Sequence, residues 1–148
     1  MKRTFGNFVE RLLWGGTRLT DVEFGLLEQL VASLPPPLRS TVERQFEAYN
    51  LVQREVDGRA LNFYRKKGGQ ASNMEGLQLL EMIVGEAPLV RLTASVSGDI
   101  EPLHATLTAV KGRVFCVALS RPVRPEESVT VSDIRQAWRS NFRYEKAA

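Results

Sequence analysis

The sequence predicts an α+β fold, with N-terminal helices packed on a mainly antiparallel sheet of about five strands and a further helix at the C-terminus. Three observations predict it. Apolar residues recur at helical spacing up to about residue 50, the period changes to two around an Asp-Gly pair, and the stretch "LHATLTAVKGRVFCVAL" alternates on both sides of a Lys-Gly pair. With 148 residues, 43% apolar and 25% charged, the chain can bury a sizeable core and lies far from disordered compositions. It reads as a single globular domain, 1–148.

Residues 4–14 place Phe5, Phe8, Val9, Leu12 and Leu13 on one helical stripe, and Gly15 and Gly16 stop it. A second helix begins at "TDVE". Thr20 and Glu23 have the spacing of a capping box, and Phe24, Leu27, Leu30, Val31 and Leu34 extend the apolar face. In "LPPPLRSTVERQFEAYN" the prolines suit a helix's first turn, and Leu38, Val42, Phe46 and Tyr49 form a third stripe.

Asp57-Gly58 then predicts a two-residue type I′ hairpin. Val52 would face Phe63, Arg54 would face Leu61 and Val56 would face Arg59, with Val52, Val56, Leu61 and Phe63 in the core. Beyond "KKGGQASN", Asn73 can cap a short helix over "LQLLEMIV" ending near Gly85, although that run also fits a buried strand. From residue 89 the alternation of Val90, Leu92, Ala94 and Val96 with Arg91, Thr93, Ser95 and Ser97 marks a strand with one wet face. "SGDIEP" turns the chain, and two more strands joined at Lys111-Gly112 make 89–120 a three-stranded meander. "RPVRP" breaks the pattern, residues 128–131 can add a short edge strand, and Ser132 can cap a final helix through about Phe142.

Composition excludes several classes of function. One cysteine and one histidine make neither an internal disulfide nor a thiolate or histidine-rich metal site. Asn7, Glu10 and Arg11 interrupt what would be an apolar signal region, and no run approaches the roughly 18 apolar residues of a membrane span, so the expected compartment is the cytoplasm. Walker loops, G-x-G-x-x-G, G-x-S-x-G and H-E-x-x-H are all missing. No catalytic residue, metal or cofactor is therefore assigned.

His104 and Cys116 are the remaining candidates for chemistry. With Lys111 and Gly112 as a two-residue loop, Thr108 faces Phe115, Thr106 faces Val117 and His104 faces Leu119. Cys116 then falls on the apolar face beside Leu107, and His104 lies on the mixed face with Phe115 and Val117, with the sheet between them. A one-residue bulge would reverse this.

What stands out instead is basic charge. The net charge is +3 and the cationic excess lies after residue 58. Arg65, Lys66 and Lys67 follow Tyr64 out of a strand. Arg135, Arg139 and Arg143 recur every four residues beside a stripe of Ile134, Trp138 and Phe142 on the expected last helix. The function expected is a non-catalytic protein-binding or interaction module, in the manner of a bacterial accessory, adaptor or immunity protein. Its partner-binding residues would be Arg135, Trp138, Arg139, Arg143, Arg65, Lys66, Lys67 and His104. The alternatives are nucleic-acid or polyanion binding through 65–67 and 135–146, and a small enzyme with an unrecognised site.

Overall fold

A computed structural model describes residues 19–67, 70–71 and 76–138. The helix expected over 4–14 lies outside them. Helix α1 (Asp21–Ala32) starts at the anticipated capping box: Thr20 Oγ1 accepts from the Glu23 amide at 3.2 Å, and Glu23 Oε1 accepts from the Thr20 amide at 2.9 Å. Helix α2 (Pro36–Ala48) carries prolines in its first turn, where no amide donor is needed. Leu26, Leu27, Leu30 and Val31 of α1 and Leu38, Val42 and Phe46 of α2 are buried in one apolar cluster with the sheet.

The strands follow as β1 (Leu51–Arg54), β2 (Ala60–Tyr64), β3 (Lys66–Lys67), β4 (Gln70–Ala71), β5 (Glu86–Val96), β6 (Leu103–Val110), β7 (Arg113–Leu119) and β8 (Val129–Gln136). Six of them form an antiparallel sheet in the order β1-β2-β7-β6-β5-β8, and β3 pairs with β4 in a small ribbon. The helices cover one face, where Val52, Leu61, Phe63, Leu92, Leu103 and Leu107 are buried and Ala94, Ala105 and Ala109 let them lie close. The other face is open and polar. It carries Asn62, Arg91, Thr93, His104, Thr106 and Thr108, each exposed or half-buried.

The expected C-terminal helix is overturned. Residues 129–136 form β8, the sheet has six strands, and no C-terminal helix is seen among the described residues. The β-branched run Val129, Thr130, Val131 favours a strand. Between Thr93 and Ala94 of β5 the pairing with β8 shifts, so that Ser132 is an inserted residue, and its hydroxyl donates to the Thr93 carbonyl at 3.0 Å instead of capping a helix. The insertion puts Val131 and Ile134, three residues apart, on the same side, packed against the core. Together with Trp138 four residues on, that spacing imitates a helical stripe.

Two local expectations also change. The β1–β2 register is as anticipated, Val52 opposite Phe63 and Arg54 opposite Leu61, but only Gly58 of the Asp57-Gly58 pair has positive φ (72°). The Gly58 amide donates to the Glu55 carbonyl, so Val56 rides on the turn, fully exposed and not in the core. A type I′ pair occurs instead at Lys111 (φ 51°) and Gly112 (φ 81°). Within residues 76–85 the chain is neither helix nor strand; it is a loop that inserts Leu80 and Ile83 into the core and hangs on the hairpin through the Leu80 amide and the Gly112 carbonyl, 2.9 Å.

Candidate functional site

The site grows from a bulge in the β6–β7 hairpin. Val110 pairs with Arg113 and Ala109 with Val114, but Thr108 pairs with Cys116, so Phe115 is an inserted residue. Beyond it every side chain changes face. Val117 turns into the core and Cys116 turns onto the open face, the opposite of the strict alternation. His104 and Cys116 thus share a face, yet no dyad results. His104 lies at the level of Ser120, whose hydroxyl accepts from the His104 amide at 2.9 Å, while Cys116 is opposite Thr108, about 13 Å further along β6. His104 Nδ1 is 3.2 Å from Thr93 Oγ1. Burial, and after it the carboxylates of Glu55 and Glu86, push the Cys116 thiol up to about 11, so it is protonated at neutral pH. Among the described residues no group of three His, Cys, Asp or Glu is placed to hold a metal ion.

The inserted Phe115 instead lines a cleft of about 490 Å³ between β2 and the tip of the β6–β7 hairpin. Its ring meets Tyr64 edge-on, centroids 5.6 Å apart at 85°. Tyr49, Phe63 and Val114 line the inner side, and Leu79 and Val110 add apolar wall. Arg65, Lys111 and Arg113 bring three cations to it. None of these three is ion-paired to a carboxylate among the described residues. Arg65 is steadied by donating from Nη1 to the Ala48 carbonyl at 2.8 Å.

Buried polar groups hold this geometry. The Tyr49 hydroxyl donates to the Val114 carbonyl; burial raises its pKa, and the nearby Arg113 guanidinium opposes that rise. Gln45, fully buried, donates from Nε2 to the carbonyls of Gln78 and Gly112, each at 2.9 Å, and accepts the Val114 amide at Oε1, 2.8 Å. One side chain of α2 therefore ties the 76–85 loop, the hairpin turn and the start of β7 together.

No family model, curated protein or solved structure matches this chain. Its function has to be argued from its own geometry. Among the described residues no helix is long and apolar enough to cross a membrane.

Of the residues singled out in the sequence, Arg65 is at the cleft and the backbone of Lys66 and Lys67 continues from it into the β3–β4 ribbon. Arg135 is far away. It sits on edge strand β8, four strand spacings or about 19 Å from β2, and its Nε is 2.8 Å from Asp133 Oδ2. Trp138 is half-buried against the core and donates its indole N–H to Gln136 Oε1 at 2.9 Å. Arg139 and Arg143 lie outside the described residues. The two basic segments expected to act together are thus not joined by Arg65 and Arg135. Sequence reasoning placed Phe115 on the mixed face with His104 but passed over Lys111 and Arg113, because they counted only as residues of the hairpin turn. One signal was available: in a type I′ turn Asn or Gly adopts positive φ with less strain than Lys.

Proposed function

We propose that the protein is a non-catalytic cytoplasmic binding module, of the accessory, adaptor or immunity kind, which holds an acidic segment of a partner protein in the cleft between β2 and the β6–β7 hairpin. One observation carries this reading: three cations with no carboxylate partner among the described residues border an apolar cleft walled by Tyr64 and Phe115. Cations at a rim select acidic partners and steer them in, while an apolar anchor entering the cleft supplies the buried contact. Lys111 adds support, since its left-handed backbone costs about 1–2 kcal/mol relative to an ordinary conformation.

The test is fluorescence anisotropy with short labelled peptides that combine glutamates with one aromatic residue, compared with the same peptides carrying Gln in place of Glu. The acidic series binds, and the neutral series binds more weakly by more than about tenfold. The double variant Lys111→Glu, Arg113→Glu loses binding, whereas Arg91→Glu, on the open face, keeps it. Equal loss in both variants, or no preference for the acidic series, refutes the reading. The polyanion alternative, through the basic segments 65–67 and 135–146, predicts binding of single-stranded oligonucleotides with a steep log-log salt slope.

A further inference from the structure

We propose that two copies of this chain associate through β8, edge to edge and antiparallel, with Ile134 opposite Ile134 of the second copy, joining the two sheets into one. The edge is open: β8 ends the strand order, and among the described residues no strand pairs with its outer side. The Ala137 amide donates to the Leu89 carbonyl of β5, which makes Ala137, and by alternation Arg135 and Asp133, the residues whose backbone faces inward. Ile134 and Gln136 therefore present their amides and carbonyls outward. A two-fold axis beside Ile134 lets the two Ile134 residues exchange both backbone hydrogen bonds, as a symmetric antiparallel pair requires.

That register also matches charge. Residues flanking the axis by one position face each other, so Asp133 of each copy lies opposite Arg135 of the other, in the closer, non-hydrogen-bonded kind of pair. Both side chains are on the open face, with Arg135 83% and Asp133 49% exposed. Their existing ion pair within one strand is exposed and contributes little, so each carboxylate is free to sit between its own guanidinium and the other copy's. A register shifted by one residue would pair an outward backbone position with an inward one, and the next available registers, two residues away, place Asp133 opposite Asp133 or Arg135 opposite Arg135 and lose the match.

A second feature lies beside the same edge. A groove of about 580 Å³ runs between α1 and β8, lined by Val22, Gly25, Val129 and Val131. Gly25 is inside a helix, where glycine weakens it, and a Cβ there would meet no atom within 4 Å. Nothing among the described residues of one chain calls for a glycine there. In the Ile134-centred register β8 of the second copy ends with Gln136 opposite Ser132, next to the strand segment Val129–Val131 that lines this groove.

The test is sedimentation equilibrium on the full chain and on two charge variants. Asp133→Arg puts Arg against Arg at both flanking positions of a homodimer, and Arg135→Asp puts Asp against Asp. Mixed together, the two variants place Arg opposite Asp at both positions. The wild type is expected to dimerise, each variant alone to dimerise more weakly by more than about tenfold, and the equimolar mixture to recover a one-to-one dimer. Thermal melts confirm that both variants fold. A monomeric wild type, a dimer that either variant leaves intact, or a mixture that stays monomeric each overturns the proposal.

Discussion

Replacing Gln45 with Leu isolates the contribution of the clamp behind the cleft. Leu has a similar volume, so the change removes polar partners without opening a large cavity. The Gly112 carbonyl keeps the Leu80 amide at 2.9 Å, and Gln78 is exposed enough for water to take its carbonyl. The Val114 amide is different, because Val114 is fully buried and its 2.8 Å bond to Gln45 Oε1 goes unreplaced. A buried orphan donor costs about 1–3 kcal/mol and the other lost bonds about 1 kcal/mol more, for a total near 3 kcal/mol. In a chain of this length that lowers the melting temperature by roughly 6–12 °C. Urea unfolding measures it as a lower midpoint at unchanged slope. Gln45→Glu adds a sign to the test. Its carboxylate would face the carbonyls of Gln78 and Gly112, so the folded state holds it protonated above the unfolded value of about 4.3. Its deficit relative to wild type is then smallest below that value and grows as pH rises through the folded pKa. A Gln45→Leu loss under about 1 kcal/mol, or a Gln45→Glu deficit independent of pH, would refute the clamp.

Gly112→Ala should cost at least about 2 kcal/mol and weaken peptide binding, because φ is 81° and the new Cβ would stand 2.9 Å from the Leu80 carbonyl oxygen; a neutral melt would contradict this. Arg54→Met strands the Glu23 carboxylate, 2% exposed, that Arg54 Nε reaches at 2.8 Å, and should cost about 3 kcal/mol by urea unfolding. Adding Glu23→Leu should recover all but about 1 kcal/mol, the residue being the lost capping box; an additive double variant would show the pair to be uncoupled. Cys116 should react with iodoacetamide at pH 8 far more slowly than the same thiol in urea. The folded chain also keeps a thiol proton that the unfolded chain releases. Stability should therefore fall as pH rises from the ordinary thiol value through about 11, and this slope should be shallower in Cys116→Ala.

Much of the fold was legible because local chemistry and tertiary packing agree there. Thr20 and Glu23 mark the start of α1 by a reciprocal bond that needs no partner elsewhere in the chain, and Lys111-Gly112 closes a hairpin by backbone geometry alone. The misplaced faces and the expected C-terminal helix share one physical cause, whereas Val56 and the 76–85 loop failed on local turn geometry. Side-chain alternation locates faces only while the register is unbroken, and the sheet shifts register three times, at Pro88/Val90, at Thr93/Ala94 opposite Ser132, and at Thr108/Ala109 opposite Phe115. Each insertion converts a period of two into a spacing of three at one point, which is half a helical signature. Val131, Ile134 and Trp138 therefore read as a helix, and Val114 with Val117, both buried, read as residues of opposite faces.

The inserted residues are also where the candidate surfaces arise. Phe115 is a cleft wall because it has no partner in the ladder, and the turn that follows from Val110 opposite Arg113 sets Lys111 beside it. Inserting Ser132 gives the inward pairing to Asp133 and Arg135, which is what leaves the backbone N–H and C=O of Ile134 pointing outward, at an edge no described strand pairs with. Were Phe115 paired with Thr108 in strict alternation, Cys116 would be packed under the helices and Val117 would stand on the open face beside Thr106. Deleting Phe115 is therefore not a neutral shortening: Cys116 stays opposite Thr108 and Val117 opposite Leu107, but the cleft loses its aromatic wall, and the function proposed for the cleft depends on the insertion as much as on the charges around it.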